Sequence, residues 1–130
     1  MTRIGVVVGQ TAWYPTFFSK AQIDLLALKT NHIRLMLNKR LWESGDTGNP
    51  LHVPYKQYIS QLAAWIKQAK MHLQVDLARE ANDDLGTEIL PSVIIVDPAK
   101  CQDWINWGKD VVATLMPGSL TIMNEPNNPL

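Results

Sequence analysis

Leu120-Thr121-Ile122-Met123-Asn124-Glu125-Pro126 is the stretch on which the fold turns. Leu120 to Met123 is a mainly apolar run of strand length, and it stops abruptly at Asn124-Glu125-Pro126. Proline has no N–H for a sheet ladder and biases the residue before it away from helix. Glu125 is therefore expected at the carboxyl end of a strand, with its side chain clear of regular packing. In open α/β sheets and α/β barrels that end is where ligands bind and chemistry occurs. The plain alternative is a strand tip with a solvated acid, and the preceding chain must separate the two.

Working back from this stretch, strands and helices alternate. Ile4–Val8 is a continuous apolar, β-branched run closed by Gly9, the pattern of a strand buried on both faces. Thr11–Phe18, aromatic and interrupted by Pro15, is a loop. Ser19 and Gln22 form a capping box for a helix whose buried stripe is Ile23, Leu26 and Ala27 and which ends near Thr30-Asn31. Ile33–Leu37 is a second strand, interrupted by Arg34, and Lys39–Val53 is a polar loop. Pro54 suits the first turn of a helix carrying Tyr55, Ile59, Leu62, Ile66 and Ala69 at helical spacing.

Leu73–Leu77 is a third strand. A period of two puts Gln74, Asp76 and Ala78 on one side and Leu73, Val75 and Leu77 on the other. Arg79–Pro91 is polar, a loop with at most a turn or two of helix, and Ser92–Val96 is too short to classify. Asp97-Pro98 is the cap and first turn of a last helix. Its stripe is Cys101, Trp104, Ile105, Gly108, Val111, Val112 and Leu115, and Pro117-Gly118 ends it before the fourth strand. Strand, loop and helix alternating in this way imply an α/β fold with a parallel sheet and right-handed crossovers.

The 130 residues fit a single domain, and 46% hydrophobic residues can build a real core. Twelve basic and twelve acidic residues cancel, so nothing points to nucleic acid or an anionic membrane. One cysteine, Cys101, excludes an internal disulfide and any multi-cysteine metal site. No stretch approaches a membrane span, and Met1-Thr2-Arg3-Ile4 lacks the long apolar core of a secretory leader, which leaves the compartment open. Gly5 and Gly9 form no dinucleotide fingerprint, so no cofactor is expected. His32, His52 and His72 lack ligand spacing, so no metal is expected either.

The order of elements and three local motifs resemble the amino-terminal half of a family 5 glycoside hydrolase, one of the cellulase-like (β/α)₈ barrels. Asn31-His32-Ile33-Arg34-Leu35 is similar to that family's second-strand segment, in which an arginine follows an apolar residue. Leu73-Gln74-Val75-Asp76-Leu77 is similar to its third strand, and Leu120 to Pro126 to its fourth. The resemblance implies four parallel strands and three main helices, the first half of a TIM barrel. It implies a retaining glycosidase acting on β-linked polysaccharide. Glu125 would be the acid/base, and Asn124 would bond the sugar hydroxyl beside the reacting carbon. Arg34 would orient the nucleophile. That nucleophile belongs on the seventh strand, outside these 130 residues, so the chain alone is expected to be inactive. Ala78 stands where the family commonly has a histidine.

Retaining glycosidases need two carboxyl groups about 5–5.5 Å apart, and no second acid here fits that role. Asp76 reads instead as an ion-pair partner of Arg34, because buried charges survive mainly as pairs. Trp42 and Trp13, on loops after the second and first strands, fit either sugar platforms or loop anchors. Trp104 lies on the buried stripe and reads as core. An open half barrel leaves two unpaired edges, so the expected partners are a carboxyl-terminal half barrel or a second copy, together with carbohydrate. Two other readings keep the same residues: a non-catalytic carbohydrate-binding or interaction module on a half-barrel scaffold, and a five-stranded flavodoxin-like α/β domain with Ser92–Val96 as an extra strand.

Overall fold

Alternation along the two longest strands divides the sheet into an apolar and a polar face. The computed structural model describes residues 4–8, 18–79 and 91–123. Strands β1 (Gly5–Val8), β2 (His32–Asn38), β3 (His72–Arg79) and β4 (Ser119–Thr121) pair in parallel in the order β1-β2-β3-β4. The β2–β3 ladder is the longest, and β4 adds three residues to it. Ile33 is paired with Leu73, Leu35 with Val75 and Leu37 with Leu77, and all six side chains are buried. Burying a Leu, Ile or Val side chain is favourable by about 1.5–3 kcal/mol, so this face drives assembly.

The helices supply the other side of that core. Helix α1 (Lys20–Ala27) begins with the expected capping box: Ser19 accepts from the Gln22 N–H, and Gln22 accepts from the Ser19 N–H. It buries Ile23, with Leu26 and Ala27 packed at the edge of the core. Helix α3 (Tyr55–Gln68) buries Tyr55, Ile59, Leu62 and Ile66 as its spacing predicts, and Tyr58 and Ala63 as well. Tyr58 Oη accepts the Phe18 N–H at 2.9 Å, which ties the entry to α1 onto α3. Helix α5 (Pro98–Leu115) starts at the Asp97 cap with Pro98 in its first turn, as expected.

Four local expectations are corrected. Part of the Lys39–Val53 loop is a helix, α2 (Lys39–Ser44), capped by the Asn38 side chain on the Leu41 N–H and closed by Gly45 at φ 72°. Residues 92–96 lie in helix α4 (Pro91–Val96), so the extra strand that a flavodoxin-like domain needs is not there. The strand read from Leu120 to Met123 instead begins at Ser119 and ends at Thr121. The buried side of α5 is Trp104, Trp107, Gly108, Val111 and Leu115, whereas Ile105 and Val112 lie on an exposed flank and Cys101 is only part-buried. Trp104 is core, as expected, and its ring lies 4.9 Å from that of Trp107, edge to face.

Each strand neighbours the next one in the chain. The crossovers run through α1, then α2 and α3, then α4 and α5. With right-handed crossovers, an order that never reverses stacks every helix on one face of the sheet. Doubly wound folds instead reverse the order and carry helices on both faces. The chain is thus an α/β unit with a parallel sheet, wound in one direction.

Candidate functional site

The face of the sheet opposite the helices carries the polar side chains of β2 to β4, with Met36 in the row of Asp76. Its positions follow from the register: His32 pairs with His72, Arg34 with Gln74, Gln74 with Ser119, and Asp76 with Thr121. Paired residues in a parallel ladder share a side, so these seven side chains form a patch across three strands. Their contacts lean one way. His32 Nε2 lies 2.9 Å from Gln74 Oε1, and His72 Nε2 lies 2.8 Å from Ser119 Oγ. Arg34 Nε and Nη2 both donate to Asp76 Oδ2. Each bond reaches the residue one row nearer the carboxyl end of the neighbouring strand.

Asp76 has no exposed side-chain surface, whereas the Arg34 side chain is 32% exposed. The expected Arg34–Asp76 pair therefore forms, with the carboxylate buried and the guanidinium reaching the surface of the polar face. Gln74 completes the arrangement, donating to Asp76 Oδ1 at 3.1 Å and to Thr121 Oγ1 at 3.3 Å. The His32 and His72 rings lie 4.8 Å apart at the amino end of the patch. His32 Nδ1 is buried and has no hydrogen-bond partner among the described residues. Gly118 makes room here, since a Cβ at that position would come within 2.6 Å of His72 Cε1.

At the carboxyl end of β2 the chemistry is structural. Lys39, 3% exposed, bridges Glu43 at 2.9 Å and Asp103 at 2.7 Å, which ties α2 to α5. Trp42 is 4% exposed, and its Nε1–H donates to Asp110 at 2.7 Å. Lys56 also bonds Asp110, at 2.9 Å, and its ammonium lies 5.4 Å from the Trp42 ring centre. The Trp42 N–H holds the Asp110 carboxyl below its ordinary pKa against the opposing effect of partial burial, with Lys56 and Thr114 adding to the depression.

A buried ring offers no face to a sugar, so Trp42 is corrected from a substrate-binding candidate to an anchor between α2, α3 and α5. Of the other candidates, Arg34 stands on the polar face. Trp13, Asn124 and Glu125 lie outside the described residues, although residues 122 onward follow the carboxyl end of β4. A cavity of about 390 Å³ beside α5 and β4 is lined mainly by apolar side chains, among them Trp104, Ile105, Val112, Leu120 and Ile122. Among the described residues its lining offers no converging set of hydrogen-bonding groups of the kind a polyhydroxylated ligand requires.

Sequence reasoning passed over five members of the patch, among them Ser119 and Thr121, whose side chains had no reading at all. His32 and His72 were weighed only as metal ligands, and Gln74 only as a neighbour of Asp76. The signal that could have found these three was a period of two applied to both strands together: His-x-Arg over 32–34 and His-x-Gln-x-Asp over 72–76. Comparison with protein-family models and with curated proteins finds no match for this chain.

Proposed function

We propose that this chain is one half of a (β/α)₈ barrel that hydrolyses O-glycosyl bonds in β-linked polysaccharide by the retaining mechanism. One observation supports the reading most: the sheet is wound in a single direction, with helices on one face and a hydrogen-bonded polar face, including the Arg34–Asp76 pair, on the other. A closed barrel of such units would turn that polar face inward and present the carboxyl ends of its strands as a mouth. In this reading Glu125, a short step beyond β4, donates a proton to the leaving oxygen and later takes one from water. Asn124 bonds the neighbouring sugar hydroxyl. Arg34 orients the carboxylate that attacks the anomeric carbon, and that carboxylate comes from the complementary half of the barrel. The complement is either a carboxyl-terminal half or a second copy of this chain.

The rival, a non-catalytic sugar-binding module, would lean on exposed aromatic platforms, and the burial of Trp42 removes one of the two it had. The direct test is an NMR titration of the chain with a cello-oligosaccharide and a manno-oligosaccharide, run beside an aryl β-glycoside assay. Weak binding that shifts Arg34 and the residues following Thr121, without turnover, is the expected outcome. Binding that shifts neither would reject the reading. Turnover abolished by Glu125→Gln would keep the glycosidase and reject the need for a second half.

A further inference from the structure

The hydrogen bonds of the polar face can be assigned a direction, starting from Asp76. Arg34 is always charged and gives two N–H groups to Oδ2, and a carboxylate in such a pair only accepts. The Gln74 amide stands 3.1 Å from Oδ1. Turned the other way, it would set oxygen against oxygen, so its NH₂ must face Asp76. The second amide hydrogen then serves Thr121 Oγ1 at 3.3 Å. Gln74 Oε1 is left facing His32 Nε2 at 2.9 Å. An amide oxygen has no proton to offer, so the proton in that bond is on His32 Nε2. Whenever the ring is neutral, its lone pair therefore falls on Nδ1, the buried atom without a partner among the described residues.

We propose that Gln74 is the positioning residue of this site. The Asp76 carboxylate sets the amide, and the amide sets the His32 tautomer on the next strand. In return, the locked amide holds Asp76, and through it the Arg34 guanidinium, in one orientation on the polar face. Gln74 acts through the residues it bonds, on Arg34 by way of Asp76 and directly on the His32 ring. The inference rests on the sugar-site reading only in giving Arg34 a ligand to meet; the directed chain itself stands on the distances above. It also gives a place to two residues that sequence reasoning set aside, because His32 is the end of the chain that the amide orients and the His72 ring packs against it.

The test is side-chain ¹⁵N–¹H NMR of the whole chain. Wild type should show the neutral His32 ring protonated at Nε2 alone, and an Arg34 Nε–H that exchanges slowly with water. Gln74→Met should give a mixture of His32 tautomers and speed Arg34 Nε–H exchange about tenfold, the factor expected for losing one modest hydrogen-bond contribution. Gln74→Glu separates the two arms: an oxygen still faces His32, so its tautomer persists, while a second carboxylate beside Asp76 disturbs the arginine signal. Cello-oligosaccharide affinity should fall with Gln74→Met in step with the arginine signal. A neutral wild-type His32 ring with its proton on Nδ1 in place of Nε2, or exchanging between the two tautomers, overturns the proposal without any substitution. An unchanged Arg34 Nε–H in Gln74→Met overturns it as well. If the wild-type signals are as expected but no sugar binds, the positioning chain stands and the glycosidase reading fails.

Discussion

Replacing Arg34 by methionine isolates the central interaction of the polar face. The methionine keeps most of the side-chain stem and deletes the guanidinium. Asp76, with no exposed side-chain surface, is then left among the described residues with the Gln74 amide alone. Removing one partner of a buried ion pair costs about 3–5 kcal/mol, because the remaining charge is neither hydrated nor paired. Arg34 is 32% exposed, so water can enter on its side and the lower end, about 3 kcal/mol, is expected. With a urea m-value of about 2 kcal/mol/M, the unfolding midpoint should fall by about 1.5 M. Asp76→Asn leaves the accessible guanidinium to water and should cost less, about 1–2 kcal/mol. The double variant strands no buried charge, so its cost should fall short of the sum of the single costs by about 1–2 kcal/mol. The measurement is a urea titration followed by far-UV circular dichroism on all four proteins. A midpoint shift for Arg34→Met below about 0.3 M, or strict additivity in the cycle, would refute the account of the pair.

Two further outcomes follow from the packing around this face. Trp42→Phe removes the N–H that most depresses the Asp110 carboxyl. A depressed folded-state pKa contributes stability above the ordinary carboxylate value that is lost as pH falls through the folded value, so the variant should show a shallower loss of stability in acid, read as urea midpoints at pH 2 to 6. Gly118→Ala would bring a Cβ within 2.6 Å of the His72 ring and force it off Ser119; a cost of about 1–3 kcal/mol in urea unfolding is expected, and an unchanged midpoint would mean the ring moves freely.

Some of this was legible residue by residue. The Ser19–Gln22 capping box, the Asp97-Pro98 helix start and the alternation of Leu73, Val75 and Leu77 are local features, set by a few neighbouring side chains and the backbone period. The Arg34–Asp76 pair was also legible, because an unpaired charge on a buried strand would be prohibitively expensive and only one acid on the neighbouring strand shared its side. Helix α2 was missed: its six residues show no repeat long enough to reveal a period, and the cap that starts it, Asn38, doubles as the last residue of β2.

What the amino-acid order determined alone was the alternation of elements, and therefore the parallel α/β class, because caps, prolines and hydrophobic periods act over a few residues. What only the tertiary structure decided was which polar groups meet. The Trp42 N–H reaches an acid 68 positions away, and His32 meets Gln74 42 positions on. Such partners are chosen by strand register and helix placement, and those come from burying the whole apolar face at once rather than from any one stretch of chain.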